Sequence, residues 1–290
     1  MGQDRTALVL SGGGSLGAVQ VGMLQALVEL GLEFDLVVGA SVGAINGAYF
    51  AARPDARGVA ELADFWRGLR KGDVFPFSWF DSLLGLLRHR GCLLPSTALS
   101  RLVRRALPVA RIEDSRLALH IVTTNLLTGA QEVLSSGDTE QALLASAAIP
   151  LVFPWVRIGD KLLVDGGVAS NTPIAAAVGL GATRVIVLPT GFGCACPAPP
   201  AGMLALALHT LNLLSMRQLV RDIELYAPRV AIHVVDPLCP LGVSVFDFNQ
   251  TEALLQRAYR QTLGWVEQGG LQRRGVPDAL QAHSHGPASG

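Results

Sequence analysis

Short apolar runs alternate along the chain with longer segments in which apolar residues recur at helical spacing. The apolar runs predict β-strands at residues 6–10, 36–38, 117–123, 131–134, 152–158, 161–164, 185–188 and 230–235. The periodic segments predict helices at residues 18–30, 59–69, 97–106, 139–147, 172–178, 203–226 and 251–268, and another that begins at Val42. Such alternation of strands and helices is typical of an α/β fold with a mostly parallel central sheet.

Two segments depart from this alternation. Residues 74–94 crowd apolar and aromatic side chains before a basic end, Arg88-His89-Arg90. This pattern predicts a cap or an interfacial helix in contact with a membrane surface, and the alternative is a helix packed on the core. Beyond residue 269 the chain is rich in Gly, Pro, His and Ser, which predicts a disordered tail at 270–290. We therefore expect one domain over residues 1–269, with a cap-like insertion at about 74–95.

Composition narrows the class of protein. Half of the 290 residues are hydrophobic, 16% are charged and the formal net charge is zero, so the electrostatics offer no general attraction for nucleic acid. No signal peptide and no membrane-spanning run of about 18 apolar residues is found. The four cysteines lack the spacing of a zinc site. We expect a cytoplasmic protein without a metal or a cofactor, and the oligomeric state stays open.

A five-residue motif follows the second predicted strand. Residues 39–43 read Gly-Ala-Ser-Val-Gly and lie between the apolar run at 36–38 and a helix. In a Gly-x-Ser-x-Gly elbow the serine occupies a strained turn, and the two glycines let the strand and the helix approach each other. Ser41 is therefore the candidate nucleophile, with Gly39 and Gly43 as the supporting glycines.

A glycine loop follows the first predicted strand and leads into a helix. Its glycines are Gly12, Gly13, Gly14 and Gly17. Convergent backbone N–H groups at a helix N-terminus bind anions, so the loop suits a phosphate or the oxyanion of an acyl transfer, and a tight βα turn is the structural alternative. A dinucleotide-binding fold also needs an acidic residue at the end of the second strand. That strand ends at Gly39 and Ser41, which excludes the dinucleotide interpretation.

A third motif, Asp165-Gly166-Gly167, ends another predicted strand. Acyl transfer requires a nucleophile, a base and donors for the oxyanion. Ser41, Asp165 and the glycine loop have these three chemistries, and all three follow strands, at the edge where open α/β sheets place their sites.

Together the three motifs resemble the patatin-like family of phospholipases and acyl hydrolases. Residues 145–150 and 171–173 are also similar to segments of that family. The resemblance covers residues 5–235 and implies a three-layer α/β/α fold, a Ser41–Asp165 dyad without histidine, and an oxyanion hole at Gly12, Gly13 and Gly14. It implies a lipid acyl hydrolase of phospholipase A or lysophospholipase type. Many family members have Arg or Lys where this chain has Leu16, which leaves the phospholipid preference open.

Three other interpretations compete with the dyad. An α/β-hydrolase triad would add His209 or His233, although both histidines lie within apolar elements typical of structural positions. An acyl-carrier transacylase would need histidine in place of Ala40. The last alternative is a catalytically idle scaffold that docks on membranes through residues 74–94, against which the intact Ser41 and Asp165 argue.

Overall fold

The computed structural model describes residues 4–74, 94–190, 202–241 and 243–281. The predicted cap-like insertion at about 74–95 lies outside the described residues except at its ends. The described strands are β1 Thr6–Leu10, β2 Leu36–Ala40, β3 Ala118–Asn125, β4 Gln131–Leu134, β5 Val156–Ile158, β6 Lys161–Asp165, β7 Arg184–Leu188 and β8 Ala231–Val234.

The described helices are α1 Gly17–Glu29, α2 Val42–Ala52, α3 Ala56–Gly68, α4 Lys71–Val74, α5 Thr97–Ala106, α6 Thr139–Ser146, α7 Gly167–Ser170, α8 Ile174–Gly179, α9 Met203–Tyr226 and α10 Thr251–Glu267. Single 3₁₀ turns are present at Gly14–Leu16, Ile112–Asp114 and Asp278–Leu280. None of these helices combines the length and the apolar character that crossing a membrane requires.

The eight strands form one sheet in the order β5-β6-β3-β2-β1-β7-β8, and β4 also pairs with β3. Five neighbouring strands of this sheet are mutually parallel: β3, β2, β1, β7 and β8. By contrast, β4 and β6 pair antiparallel with β3. Parallel strands bring their carboxyl ends to one edge of the sheet. We call it the carboxyl edge, and it carries the residues that follow β1, β2 and β3.

Helices cover both faces of the sheet because alternate side chains of each strand point to opposite faces. In β2, Val37 faces a core that also contains side chains of α1, α2, α3, α5 and α10. Its neighbours Leu36 and Val38 face a second core that contains side chains of α8 and α9. The predicted α/β fold, with three layers and a mostly parallel sheet, is confirmed.

Two sequence-based expectations need correction at the ends of elements. The strand predicted at 152–158 begins only at Val156, because Leu151 has a positive φ of 72° and Phe153 donates to the carbonyl of Ile149 in a turn. Pro154 supplies no N–H for a strand ladder. The helix predicted to start at Thr172 begins at Ile174, and the Thr172 hydroxyl bonds to Ser11 instead of capping the helix.

The first part of the tail predicted to be disordered is instead packed. Leu280 is 4% exposed and lies in the same core as Ile232 of β8, together with the half-buried Val276. The carbonyl of Arg273 lies 3.1 Å from Nδ1 of His233. Leu280 and Val276 thus pack an otherwise polar segment against the edge strand β8. Residues 282–290 of that prediction lie outside the described part of the chain.

Candidate active site

Ser41 stands at a sharp turn between β2 and α2. Its φ of 54° and ψ of −127° are strained for a residue other than glycine. The flanking glycines are sterically required. A Cβ at Gly39 would stand 2.6 Å from the carbonyl carbon of Gly43, and a Cβ at Gly43 would stand 2.6 Å from the carbonyl carbon of Leu10. The Gly-x-Ser-x-Gly motif therefore forms the strained elbow that the sequence predicted.

The hydroxyl of Ser146 holds this elbow from the side. It accepts a hydrogen bond from the N–H of Ser41 at 2.9 Å and donates one to the carbonyl of Val122 at 2.7 Å. The carbonyl of Ser146 also accepts from the N–H of Gly166 at 3.2 Å. One fully buried serine at the end of α6 thus connects the turn at Ser41 to the turn after Asp165. Sequence reasoning missed this role, although Ser146 lies in the 145–150 segment quoted for the resemblance.

Asp165 ends β6, and its pairing with Thr123 of β3 brings it to the carboxyl edge beside β2. Its Oδ1 accepts a hydrogen bond from the N–H of Gly167 at 2.7 Å. Its Oδ2 is buried and has no partner of good hydrogen-bond geometry among the described residues. The approach of Ser41 is nevertheless close enough for its hydroxyl to lower the pKa of Asp165. The two side chains are therefore in contact, and Oδ2 is the carboxylate atom available to a proton.

Burial dominates the electrostatics of Asp165. Loss of water around the carboxylate raises its pKa to about 6, although contact with the Ser41 hydroxyl and the bond from the Gly167 N–H oppose the rise. An aspartate with this pKa is ionised at neutral pH and is a stronger base than an exposed one. The environment therefore moves Asp165 toward the range in which a carboxylate can accept a proton from a serine.

Both glycines after Asp165 are needed for close approach. A Cβ at Gly166 would meet the carbonyl of Val122 and stand 3.2 Å from Cβ of Ala40. A Cβ at Gly167 would stand 2.9 Å from Oδ1 of Asp165. The two glycines thus let the chain after β6 pass close to Val122 and Ala40, while the Asp165 carboxylate stays bonded to the amide of Gly167.

The glycine loop lies directly beside Ser41. A Cβ at Gly12 would stand 3.1 Å from Cβ of Ser41. The N–H of Gly12, however, donates to the carbonyl of Asn171 at 3.0 Å. The N–H groups of Gly13 and Gly14 have no hydrogen-bond partner within the described chain. Of the three predicted oxyanion donors, Gly12 is therefore already engaged, and two have an unused amide.

A buried chain of polar side chains fixes the glycine loop from below. Nε2 of Gln20 donates to the carbonyls of Ser11 and Leu188, and Asn46 donates to the carbonyl of Gly17 and to Oε1 of Gln20. The indole N–H of Trp66 completes the chain by donating to Oδ1 of Asn46. Gly17 has a steric role as well, because a Cβ there would stand 2.6 Å from the Trp66 ring.

Histidines are absent from this arrangement in the part of the chain that the structure describes. Neither His120, His209 nor His233 is hydrogen-bonded to Ser41 or Asp165. His233 lies in β8, three strands from β2, and burial lowers its pKa. His120 bonds Ser135 from within β3. Both are structural positions within strands.

An apolar cavity of about 50 Å³, or about 520 Å³ when the open space at its mouth is included, is lined in part by Ser41. Side chains from α2, α3, α4, α5 and the segments before β5 and α10 form its wall, and Gly14 also lines the cavity. The lining side chains comprise Val42, Ile45, Phe65, Trp66, Leu69, Val74, Leu99, Leu102, Ala147, Ile149, Phe153 and Phe248. The site thus joins a serine, a buried carboxylate and two unused amides to a pocket without a charged side chain.

The family model for patatin-like phospholipases matches residues 8–178, more than half of the chain. The chain belongs to the patatin-like phospholipase family. It is 30% identical over 270 residues to an NTE family protein of Mycobacterium tuberculosis, a match that covers 86% of this chain and 44% of the relative. The chain therefore spans less than half the length of that relative.

Two longer relatives are also similar. Patatin-like phospholipase domain-containing protein 6 of Homo sapiens is 32% identical over 190 residues, covering 64% of this chain and 13% of that protein. Lysophospholipase nte1 of Aspergillus terreus is 30% identical over 184 residues, covering 63% of this chain and 12% of that protein.

Solved structures share the fold at low sequence identity. Human GIVD cytosolic phospholipase A2 superposes with a TM-score of 0.52 at 12% identity, covering 96% of this chain and 60% of that one. VipD from Legionella pneumophila superposes with a TM-score of 0.50 at 16% identity, covering 92% and 67%.

Leu16 stands where many members of the family have Arg or Lys. Leu16 is 7% exposed and belongs to the core that α1 and α2 share. A cation at this position would have to leave that core to reach an anion. In this chain the residue contributes to packing beneath the glycine loop.

Proposed function

We propose that the protein hydrolyses the acyl esters of lipids, with Ser41 as the nucleophile and Asp165 as the base. One observation carries the proposal: a strained serine that lines an apolar pocket contacts a buried carboxylate whose Oδ2 has no hydrogen-bond partner among the described residues. Membership of the patatin-like family supports the same reaction class.

The proposed reaction has two halves. In the first, the Ser41 oxygen bonds to the ester carbonyl carbon while Oδ2 of Asp165 takes the hydroxyl proton, and collapse of the tetrahedral intermediate passes that proton to the leaving alcohol. In the second, Asp165 takes a proton from water, the resulting hydroxide attacks the acyl-enzyme, and the carboxylic acid leaves as the Ser41 hydroxyl is restored. Each half returns Asp165 to its ionised form.

The N–H groups of Gly13 and Gly14 are the proposed donors to the oxyanion. Their lack of a partner within the described chain leaves both free for the negative charge that develops on the carbonyl oxygen. Gly12 would contribute by its small size and by fixing the loop to Asn171. We therefore narrow the predicted oxyanion hole from three glycines to two.

The apolar lining of the pocket favours an apolar acyl group beside the scissile ester. Burial of a methylene group contributes roughly 0.8 kcal/mol, so each methylene that contacts this wall of aromatic and aliphatic side chains should strengthen binding. We infer a lipid acyl hydrolase of phospholipase A or lysophospholipase type. A Ser-Asp-His triad is less well supported, because Ser41 and Asp165 have no hydrogen bond to a described histidine.

A panel of substrates tests the proposal. Purified protein is incubated with a phospholipid, a lysophospholipid, a triglyceride and a short-chain ester, each beside the Ser41→Ala variant. Release of fatty acid that disappears in Ser41→Ala supports the proposal. Equal release by both proteins, or no release from any ester, would contradict it.

A further inference from the structure

Exposed large hydrophobic side chains are concentrated on the carboxyl edge. Twelve such side chains are exposed in the described part of the chain. Leu30 directly follows α1 and Leu225 lies near the end of α9, both at the opposite edge. The other ten lie near the site or beyond it: Leu126, Leu127, Leu151, Trp155, Val168, Met203, Leu206, Leu211, Leu213 and Leu214.

The amino-terminal half of α9 extends this surface away from the sheet. Nε2 of Gln218 donates to the carbonyl of Ala169 at 2.8 Å, and Ala169 follows Asp165 by four residues, so Gln218 marks the level of the carboxyl edge. The helix then leads back to the start of β8. Residues 203–217 therefore project past that edge by about 22 Å at 1.5 Å per residue.

This half of α9 is largely apolar, and of its described apolar side chains Met216 alone, near its end, packs against a core. No Asp, Glu, Lys or Arg occurs from Met203 to Met216. Leu219, at 1% exposure, is the first buried residue of the helix among those whose side chains are described. At 100° per residue, the five exposed apolar side chains of this half fall within an arc of about 160°. They are Met203, Leu206, Leu211, Leu213 and Leu214, and we call them the α9 stripe.

Cationic side chains follow the α9 stripe on the same face. Arg217 and Arg221 lie three and seven residues after Leu214 and are both exposed. An apolar tip followed by arginines suits the boundary of a phospholipid membrane, where apolar side chains enter the acyl region and cations meet the phosphate layer. The remaining exposed apolar residues come from separate turns around the site, which fits a broad deformable surface better than a single peptide.

We infer that the protein docks on a phospholipid membrane surface through the α9 stripe, with the carboxyl edge and the mouth of the pocket facing the lipid. This inference rests on the proposed function, since it places the site where a lipid ester would enter. It does not depend on residues 75–93, which lie outside the described chain. Docking in this orientation would let an acyl chain pass from the membrane into the pocket without crossing water.

Matched variants test the docking surface. In a Ser41→Ala background, which prevents hydrolysis, we compare Leu206→Gln/Leu213→Gln/Leu214→Gln with Leu30→Gln/Leu225→Gln. Glutamine keeps the helix propensity of leucine, and both variants remove exposed leucines, from opposite edges. Binding is measured by flotation with vesicles of phosphatidylcholine and phosphatidylserine at about four to one, and the melting temperature verifies folding.

The α9 variant should lose about 100-fold in vesicle partitioning, whereas the control variant should stay within about threefold. Absence of vesicle binding by the Ser41→Ala parent, or equal binding by both variants, overturns the inference. A parent dimer in light scattering that the α9 variant abolishes, with vesicle binding unchanged, would assign the stripe to contact between two copies instead. Because Ser41 is already replaced, the binding result does not depend on whether the protein hydrolyses esters.

Discussion

The Ser146 hydroxyl lies between two backbone groups of the site and accepts the N–H of Ser41 at 2.9 Å. The strained φ of Ser41 persists only because its surroundings hold it, and Ser146 is the one side chain that bonds the Ser41 amide in the described structure. The same hydroxyl satisfies the carbonyl of Val122. The geometry of the proposed nucleophile is therefore set by a residue that would not touch the reacting atoms.

Replacing Ser146 by Ala should impair both stability and turnover. The change removes the hydrogen-bond partner of the buried Ser41 N–H and one partner of the Val122 carbonyl, which should lower the free energy of unfolding by about 2 kcal/mol. With Ser41 less firmly held, kcat should fall by about tenfold while KM changes little, since the pocket is untouched. Ser170→Ala is the matched control, because that hydroxyl is buried without a partner in the described structure. Equal effects of the two variants on unfolding would refute the positioning role.

Asp165→Asn should make the protein more stable at neutral pH. The folded-state pKa of about 6 exceeds the unfolded value near 3.9, so the folded protein binds the proton more tightly. Stability from this group is therefore lost as pH rises from about 4 to about 6, and the penalty stays constant above that range. The asparagine variant, which never ionises, should gain about 1 to 3 kcal/mol at pH 7.5 in denaturant unfolding and little at pH 4. A loss of stability at pH 7.5 would show that ionised Asp165 is not destabilising.

Changing the bulk of Leu102 should change the acyl-chain preference. Leu102 is buried in the wall of the pocket that Ser41 also lines. Leu102→Trp should reduce kcat/KM for a long-chain ester by about tenfold or more and leave a butyryl ester within about threefold, because only the long chain reaches the wall. Leu102→Ala enlarges the same wall and serves as the paired variant, which should not discriminate against long chains. Equal losses on both esters in Leu102→Trp would place the acyl chain elsewhere.

NMR of a phosphonate adduct can test which of the proposed amides donate to the oxyanion. A tetrahedral phosphonyl group on Ser41 carries an oxygen where the oxyanion would form, so the amide signals of Gly13 and Gly14 should shift downfield. The Gly12 amide already donates to Asn171 and is the internal control. Mutation is less informative here, since a Cβ at Gly13 would collide with the Thr190 side chain. A shift confined to Gly12 would reverse the assignment.

Sequence reasoning located the motifs because each has a steric cause that residue type reveals. Gly39, Gly43 and Gly166 stand where any Cβ would strike backbone atoms, and no other residue type fits. The strands were also predictable, since both faces of the sheet are buried and their apolar runs are nearly continuous.

Long-range pairings were not predictable from one sequence. The N–H of Gly12 donates to the carbonyl of Asn171, which lies 159 residues further along the chain. The bond from Ser41 to Ser146 spans 105 residues. Local pattern carries no information on such pairs, and the same holds for the packing of Leu280 against the edge of the sheet.

Labelling by a fluorophosphonate tests the central claim most directly. The labelling rate is monitored by the intact mass of the protein, and the mass of its peptides locates the adduct. We expect one adduct on the peptide that contains Ser41, none in Ser41→Ala, and labelling about 10³-fold slower in Asp165→Asn. The rate for the unmodified chain should fall tenfold per pH unit below about 6, as Asp165 becomes protonated. His209→Ala and His233→Ala, verified as folded, should label within about threefold of the parent. Labelling that survives Ser41→Ala, or that collapses in a folded histidine variant, would contradict the Ser41–Asp165 dyad.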